Sequence, residues 1–227
     1  MSNIRLFHPE NITENTTSLL SKEHTHYVVN VMRLKRGFNL NFFNKNGEWS
    51  SEIILLDRDR VEVKFLNKIK EPINSLNIEL AICLVKKNPM ETILQKATEL
   101  GVSKITPIIS ERTEVKELNL ERAKKIIIEA TEQSNQLTPP EISKVIKLKD
   151  FLKNLGSTSK LLFADVNSKD NLKAEAIKGA KTLSVLIGPE GDFSPLEREL
   201  VLQNPNVVPF TISKNILRSD TAVISAI

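Results

Sequence analysis

The stretch Leu183-Ser184-Val185-Leu186-Ile187-Gly188-Pro189-Glu190-Gly191-Asp192-Phe193-Ser194-Pro195 decides how the chain is read. It opens as a short apolar run with β-branched residues, the pattern of a buried strand. The run breaks at Gly188, Pro189 and Gly191, which mark a tight turn. Ser194 then stands as a helix N-cap, Pro195 as the first helical residue and Glu197 as the partner that completes a capping box. A buried strand, a glycine loop at its carboxyl end and a helix start form the setting in which open α/β sheets bind ligands. The loop lacks the G-x-x-x-x-G-K-[ST] spacing, and Glu190 and Asp192 would repel an anion, so phosphate is a poor ligand here. Backbone donors beside carboxylates suit ribose hydroxyls or a positively charged ligand. On these residues alone, an ordinary strand-to-helix turn explains the stretch equally well.

Outward from this stretch, strand and helix patterns alternate. Leu76 to Val85 reads as a buried strand, and Asn88 as the cap of a helix beginning at Pro89. Met90, Ile93, Leu94, Ala97 and Leu100 make its apolar stripe and Gly101 ends it. Val102 to Ile109 is the next strand, and Leu120 to Ser134 a second helix that carries Glu129, Glu132 and Gln133 near its end. A polar loop broken by Pro139 and Pro140 follows. Then come a strand at Leu161 to Ala164, a short helix at Asn171 to Lys178, the strand Leu183 to Ile187, a helix from Pro195 to Leu202, a strand at Val207 to Ile212 and a helix from Ser219 to Ile227. Such alternation predicts a parallel sheet covered on both faces, an open doubly wound α/β fold.

Residues 1–70 differ in texture. Short β-rich segments at Ile4 to Phe7, Leu40 to Phe43, Trp49 to Leu55 and Val61 to Leu66 are separated by turn signals at Asn44-Lys45-Asn46-Gly47 and Asp57-Arg58-Asp59. They predict a small β-barrel. A helical piece from His24 to Met32, with Tyr27, Val28, Val31 and Met32 on one face, interrupts it. Arg33, Lys35 and Arg36 follow just before Gly37; a basic cluster of this kind suits nucleic-acid backbone, or is simply a solvated surface. Glu71-Pro72-Ile73-Asn74-Ser75 reads as a linker, giving domains at 1–70 and 74–227.

With 227 residues, there is room for one large or two modest domains. The 40% hydrophobic and 26% charged residues are those of a soluble globular protein, and the net charge of +4 permits nucleic-acid binding without establishing it. The single cysteine, Cys83, lies in an apolar run and can form no internal disulfide, which fits a reducing compartment. No stretch has the pattern of a membrane span or a secretory leader, so the chain reads as cytoplasmic. His8, His24 and His26 crowd the start, far from Cys83, and make no metal site.

Five motifs resemble one family. Leu186-Ile187-Gly188-Pro189-Glu190-Gly191 and Ile216-Leu217-Arg218-Ser219-Asp220-Thr221-Ala222 are joined by Gln95-Lys96-Ala97-Thr98-Glu99-Leu100-Gly101-Val102, by Ser110-Glu111-Arg112 and by Glu129-Ala130-Thr131-Glu132-Gln133-Ser134. Each is weak alone, but in this order, together with His26 and Val28 to Gly37, they resemble the RsmE family of SPOUT-class ribosomal RNA methyltransferases over nearly the whole chain. The resemblance implies a PUA-like β-barrel followed by a SPOUT domain with a C-terminal trefoil knot. It implies S-adenosylmethionine as cofactor, methylation of N3 of a uridine in 16S rRNA, and a homodimer paired across the knot. A knot contradicts the general rule for chain topology and rests on resemblance alone.

The same resemblance supplies the site. Ile187, Gly188, Pro189, Glu190 and Gly191 are expected to hold the cofactor largely through backbone atoms. Ile212, Ile216 and Leu217 are expected to line its adenine, with Phe163 or Ala164 as a third wall. Uridine N3 carries a proton, so the reaction needs a base or a cation that stabilises the uracil anion. Arg218 is the candidate cation and Asp220 the candidate base, or the group that orients Arg218; a salt-bridged helix start is the structural alternative. Arg33, Lys35 and Arg36 are the candidate RNA contacts. Five positions depart from the family pattern: Asp192 and Ser213 stand for glycines, Asn215 and Gln136 for basic residues, and Asp220 for a glutamate. The glycine replacements are expected to alter turns, because glycine tolerates positive φ best. The rival readings are a SPOUT methyltransferase acting on tRNA, an RNA-binding protein that has lost catalysis, and a nucleotide-binding domain without an RNA partner. Absent S-adenosylmethionine binding would favour the second, and an absent or salt-insensitive RNA interaction the third.

Overall fold

In the computed structural model, residues 4–72, 76–156, 158–180 and 182–227 are described. Residues 73–75 of the expected linker lie outside them. The chain divides into two compact units: one gathers the described residues up to 72 together with Thr131–Thr138, and the other holds the rest.

The first unit is built on strands β1 (Arg5–Phe7), β2 (Thr17–Leu19), β3 (Asn39–Asn44), β4 (Gly47–Leu56) and β5 (Val61–Lys70), with helix α1 (Lys22–His26). Their order is β1-β3-β4-β5-β2, so β1 and β2 form the two edges of one sheet. His8 Nε2 lies 3.1 Å from Ser18 Oγ, which bridges those edges and curls the sheet on itself. Inside sit Leu6, Val28, Leu40, Phe42, Trp49, Ile53, Val61, Val63 and Phe65. The expected four-residue helical face from Tyr27 to Met32 is not realised: Val28 is buried, but Val31 and Met32 are 57% and 39% exposed. The reason is local. Tyr27–Val31 is a π-turn, closed by Met32 N–H donating to Tyr27 O, and its wider winding breaks the 3.6-residue stripe.

The second unit contains strands β6 (Ile78–Cys83), β7 (Lys104–Ile109), β8 (Glu141–Ile142), β9 (Ile146–Lys147), β10 (Ser159–Ala164), β11 (Thr182–Ile187) and β12 (Val207–Phe210). The order is β12-β10-β11-β6-β7-β8, with β9 also on β7, and every pair is parallel. Helices α2 (Lys87–Glu99), α3 (Leu120–Gln133), α4 (Leu148–Lys153), α5 (Ala174–Ile177), α6 (Pro195–Leu202) and α7 (Ser219–Ala226) alternate with them, the end of α3 from Thr131 on counting with the first unit. Strands leave β6 in one direction, toward β7, and leave β11 in the other, past β10. The crevice at the carboxyl ends of β6 and β11 is therefore a topological switch point. Buried residues on both faces explain why these strands read as continuous apolar runs: Leu80, Ile82, Val185 and Ile187 enter one core, and Ala81, Cys83, Leu161, Phe163 and Leu186 the other.

Capping decides where helices begin. The Ser194 side chain accepts from Glu197 N–H while the Glu197 carboxylate accepts from Ser194 N–H, with Pro195 in the first turn, as the sequence predicts. Such a cap is worth about 1 kcal/mol. Asn88, in contrast, is not a cap. Helix α2 starts earlier, with Lys86 in the N-cap position and Pro89 within the first turn, where its missing N–H has no partner to lose. The proline-broken loop holds β8, β9 and α4, too short to give a periodic signal.

Candidate functional site

Two loops meet at the switch point. The first, Gly188–Gly191, continues from β11 and is folded by Asp192 N–H donating to Pro189 O. Among the described residues, the Glu190 and Gly191 N–H groups have no acceptor. The second runs from Thr211 to Arg218, between β12 and α7. Ser219 Oγ, at the start of α7, reaches Gly188 O at 3.5 Å and brings the two together. Ala164, Ile212 and Leu217 pack half-buried against the core that contains Ile187. Backbone donors beside an apolar wall are the chemistry that an adenosine moiety requires, polar edges on a flat apolar body.

Of the two alternatives for the third wall, Phe163 points elsewhere. Phe163 is 1% exposed and its ring stacks edge-on to Phe193, with centroids 5.6 Å apart, on the opposite side of the sheet from Ala164. Strand alternation requires this: only one of two adjacent residues can face a given side. Ile216 is 89% exposed and stands apart from the half-buried Ile212 and Leu217. Its segment is set by Thr211 Oγ1 donating to Ser213 O and Asn215 N–H donating to Ser213 Oγ, both 3.0 Å, and the Ile216 side chain projects into solvent.

Arg218 occupies the N-cap position of α7 with extended backbone and an exposed side chain. Among the described residues its guanidinium has no partner, Asp220 included. The Asp220 carboxylate, in the first turn of α7, instead accepts from Thr221 N–H at 2.9 Å. The orienting ion pair expected between them is thus absent among the described residues, and the guanidinium stays available.

The Gly188–Gly191 loop is held from a side the sequence did not single out. Arg112 Nη1 donates to Gly191 O at 3.1 Å, and Glu111 N–H donates to the Glu197 carboxylate at 2.9 Å. A cavity of about 50 Å³ opens there, lined among others by Lys86, Arg112, Glu114 and Glu190. Their signal was present in the sequence, because Lys86 and Arg112 both follow strand ends. Gly188 is tightly enclosed: a Cβ there would meet the Phe193 ring at 3.0 Å. Beyond β10, Asp165 receives Arg198 Nη2 at 2.7 Å and Nε at 3.1 Å. Burial opposes its charge, but Arg198 and Asn167 outweigh burial and hold the carboxyl below the usual carboxylate range. Cys83 is no nucleophile. Burial above all pushes its thiol up to about 12, despite hydrogen bonds from Ser110 and Thr113.

The departures from the glycine pattern separate physically. Asp192 sits at φ 58°, in the left-handed region that a glycine would serve, and its own carboxylate accepts from Phe193 N–H at 2.8 Å. Aspartate tolerates that region by local hydrogen bonding. Ser213 is not among the described residues of positive φ, so nothing there calls for glycine. Asp192→Val, β-branched and without the local acceptor, should therefore lose about 1–2 kcal/mol in urea unfolding. Asp192→Gly should stay within about 1 kcal/mol of the parent. Equal stability of all three proteins would remove the backbone argument.

In the first unit, Arg33, Lys35 and Arg36 are all exposed, and Arg33 has φ 51°. Glu132 is structural: its carboxylate accepts from Phe7 N–H at 2.9 Å and lies 3.7 Å from His24 Nε2. Gln136 O accepts from Arg5 Nη2 at 3.0 Å, so the backbone at this departure from the family pattern is used whatever its side chain.

Comparison with known proteins fits this architecture. Residues 72–227 match an RNA methyltransferase domain, and residues 20–66 match an RNA methyltransferase PUA domain. A relative from Rickettsia conorii, named ribosomal RNA small subunit methyltransferase E, is 33% identical across 98% of this chain and 93% of its own length. A Neisseria gonorrhoeae ribosomal RNA small subunit methyltransferase E, solved bound to S-adenosyl methionine, superposes with a TM-score of 0.90 at 28% identity, covering 99% of this chain and 95% of the other. A Legionella pneumophila methyltransferase, solved with bound SAM, gives a TM-score of 0.87 at 29% identity over 100% and 96% of the two chains. Sheet order, site loops and both domain matches define an RNA methyltransferase with an appended PUA domain. The chain belongs to the RsmE family of RNA methyltransferases.

Proposed function

We propose that this chain is an S-adenosylmethionine-dependent methyltransferase that methylates N3 of a uridine in 16S ribosomal RNA. The observation that carries the reading is the meeting of the Gly188–Gly191 and 211–218 loops at the switch point, with open backbone donors on one and the Arg218 guanidinium at the end of the other. The cofactor supplies an electrophilic methyl group. Backbone atoms of Ile187 to Gly191 hold its polar edges, and Ala164, Ile212 and Leu217 its adenine. Arg218 faces the uracil and stabilises the negative charge that develops on its carbonyl oxygens as the N3 proton leaves. Asp220, whose carboxylate also accepts from Thr221 N–H, is the nearest carboxylate in sequence able to accept that proton.

Residues 1–70 serve as the RNA-binding domain and 74–227 as the catalytic one, with the trefoil knot placed where the 211–218 loop passes the Gly188–Gly191 loop. Two copies pair through the catalytic domain. Leu196 at 74% exposure and Ile216 at 89% support this, being apolar surface that a second chain would cover. Light scattering at micromolar concentration should give the dimer mass; a monomer would refute it. The enzyme works in the cytoplasm, where its ribosomal substrate is made.

Titration calorimetry with S-adenosylmethionine tests the cofactor reading directly, with one site per chain expected and no binding contradicting it. Arg33, Lys35 and Arg36 contact RNA backbone. Replacing all three by alanine should weaken binding to ribosomal RNA and reduce the slope of log affinity against log salt by about 0.7–0.9 per charge removed. Unchanged affinity and slope would make the cluster a solvated surface only.

A further inference from the structure

The basic cluster of the first unit has an aromatic neighbour that salt bridging does not explain. Phe38 is 43% exposed, directly after Arg36-Gly37. Its backbone is fixed on both sides: Gly37 N–H donates to Ile53 O at 2.8 Å, and Ile53 N–H donates to Phe38 O at 3.0 Å. Phe38 N–H donates to Lys35 O at 3.1 Å, which closes a tight turn around the two intervening residues. The ring is therefore presented to solvent from a rigid strand start rather than from a loose loop. Among the described residues no aromatic or cationic group faces it, whereas Phe42, Phe43 and Phe65 of the same unit are buried and paired with other rings. Val31 and Met32 are likewise exposed, and Arg33 is held in a left-handed conformation that is uncommon outside glycine.

A fixed, exposed ring within a few residues of three exposed cations is a combination that binds single-stranded nucleic acid. Cations follow the phosphates, and the ring stacks on a base irrespective of its sequence. A duplex offers the same phosphates but no free base face. We propose that Phe38 is a base-stacking residue, and that the surface of Arg33, Lys35, Arg36 and Phe38 takes an unpaired nucleotide of the RNA substrate. This rests on the RNA-binding reading above and adds to it a preference for unpaired RNA.

The test compares binding of the full-length protein to a single-stranded RNA oligonucleotide carrying 2-aminopurine and to a duplex of equal length, across a range of salt. The parent should bind the single strand better and change the 2-aminopurine fluorescence. Phe38→Ala should weaken single-strand binding by roughly 5- to 150-fold, leave the salt slope unchanged and abolish the fluorescence change. Phe38→Trp should retain both, and duplex binding should be the same for all three proteins. The proposal is overturned if Phe38→Ala binds the single strand like the parent, or loses as much on the duplex. A salt-dependent parent that shows no preference for the single strand overturns the stacking residue alone. A parent that binds neither RNA overturns the RNA-binding reading with it.

Discussion

Arg218→Ala is expected to lower methyl transfer to ribosomal RNA by about 10²–10³, equivalent to roughly 2.7–4 kcal/mol of transition-state stabilisation. Uracil is neutral when it binds and acquires negative charge on its carbonyl oxygens only as N3 loses its proton. A fixed cation stabilises that second state more than the first, so its removal falls on the rate rather than on binding. Arg218 is placed for this by the start of α7: its backbone is extended, its side chain exposed, and no described residue competes for the guanidinium. Cofactor affinity should survive the substitution, because the Gly188–Gly191 loop is built without Arg218. Its contacts come from Asp192, Arg112 and Ser219. Arg218→Lys should restore little, since an ammonium lacks the planar fork that spans two oxygens. Single-turnover methylation measured beside calorimetric S-adenosylmethionine binding separates these effects. An Arg218→Ala protein that methylates at the parental rate would move the catalytic centre elsewhere.

The largest effect on stability is expected from Arg5→Ala. The Arg5 and Glu48 side chains are 8% and 7% exposed and pair at 3.0 Å. The other Glu48 oxygen accepts from Asn41 Nδ2 at 2.9 Å. The remaining donors of Arg5 reach the carbonyls of Thr131, Glu132 and Gln136, and its guanidinium lies 4.4 Å from the centre of the Phe43 ring. One side chain thus neutralises a buried carboxylate and satisfies the carbonyls at the end of α3. Removing one partner of a buried pair strands the other charge and destabilises by about 3–5 kcal/mol. Replacing both, as Arg5→Met with Glu48→Leu, should recover part of this. The rest stays lost, because the Asn41 amide and the Glu132 and Gln136 carbonyls lose the bonds that Glu48 and Arg5 gave them. Urea unfolding reads both variants. A loss under about 1 kcal/mol for Arg5→Ala would mean that the network is dispensable.

The sequence carried the second unit well where its signals are local and redundant. Ser194, Pro195 and Glu197 announce the start of α6 through three independent preferences, and the structure has all three. Leu183 to Ile187 is apolar at every position except Ser184, so its burial on both faces was legible. What stayed illegible depended on neighbours. Val31 and Met32 fit a helical stripe by spacing, but a π-turn at Tyr27–Val31 turns them outward. Ile216 is apolar within a motif, and only the side-chain turns around Ser213 show that it stands exposed. Alternation puts Phe163 and Ala164 on opposite faces, but which of them faces the site followed only from the packing of β10. Membership of Thr131–Thr138 in the first unit, and the role of Arg5, involve residues more than a hundred positions apart, which no periodicity reports. The cofactor and the target nucleotide came from motif resemblance rather than from physical reading, since a switch-point loop accepts many ligands.

The central claim is that this chain methylates N3 of a uridine in small-subunit ribosomal RNA. Mass mapping of modified nucleotides in 16S rRNA from cells with and without the protein tests it most directly. The account predicts one 3-methyluridine that disappears with the protein, returns with the parental chain and fails to return with Arg218→Ala. An identical modification map in both cells, or a lost methyl group confined to tRNA, would contradict it.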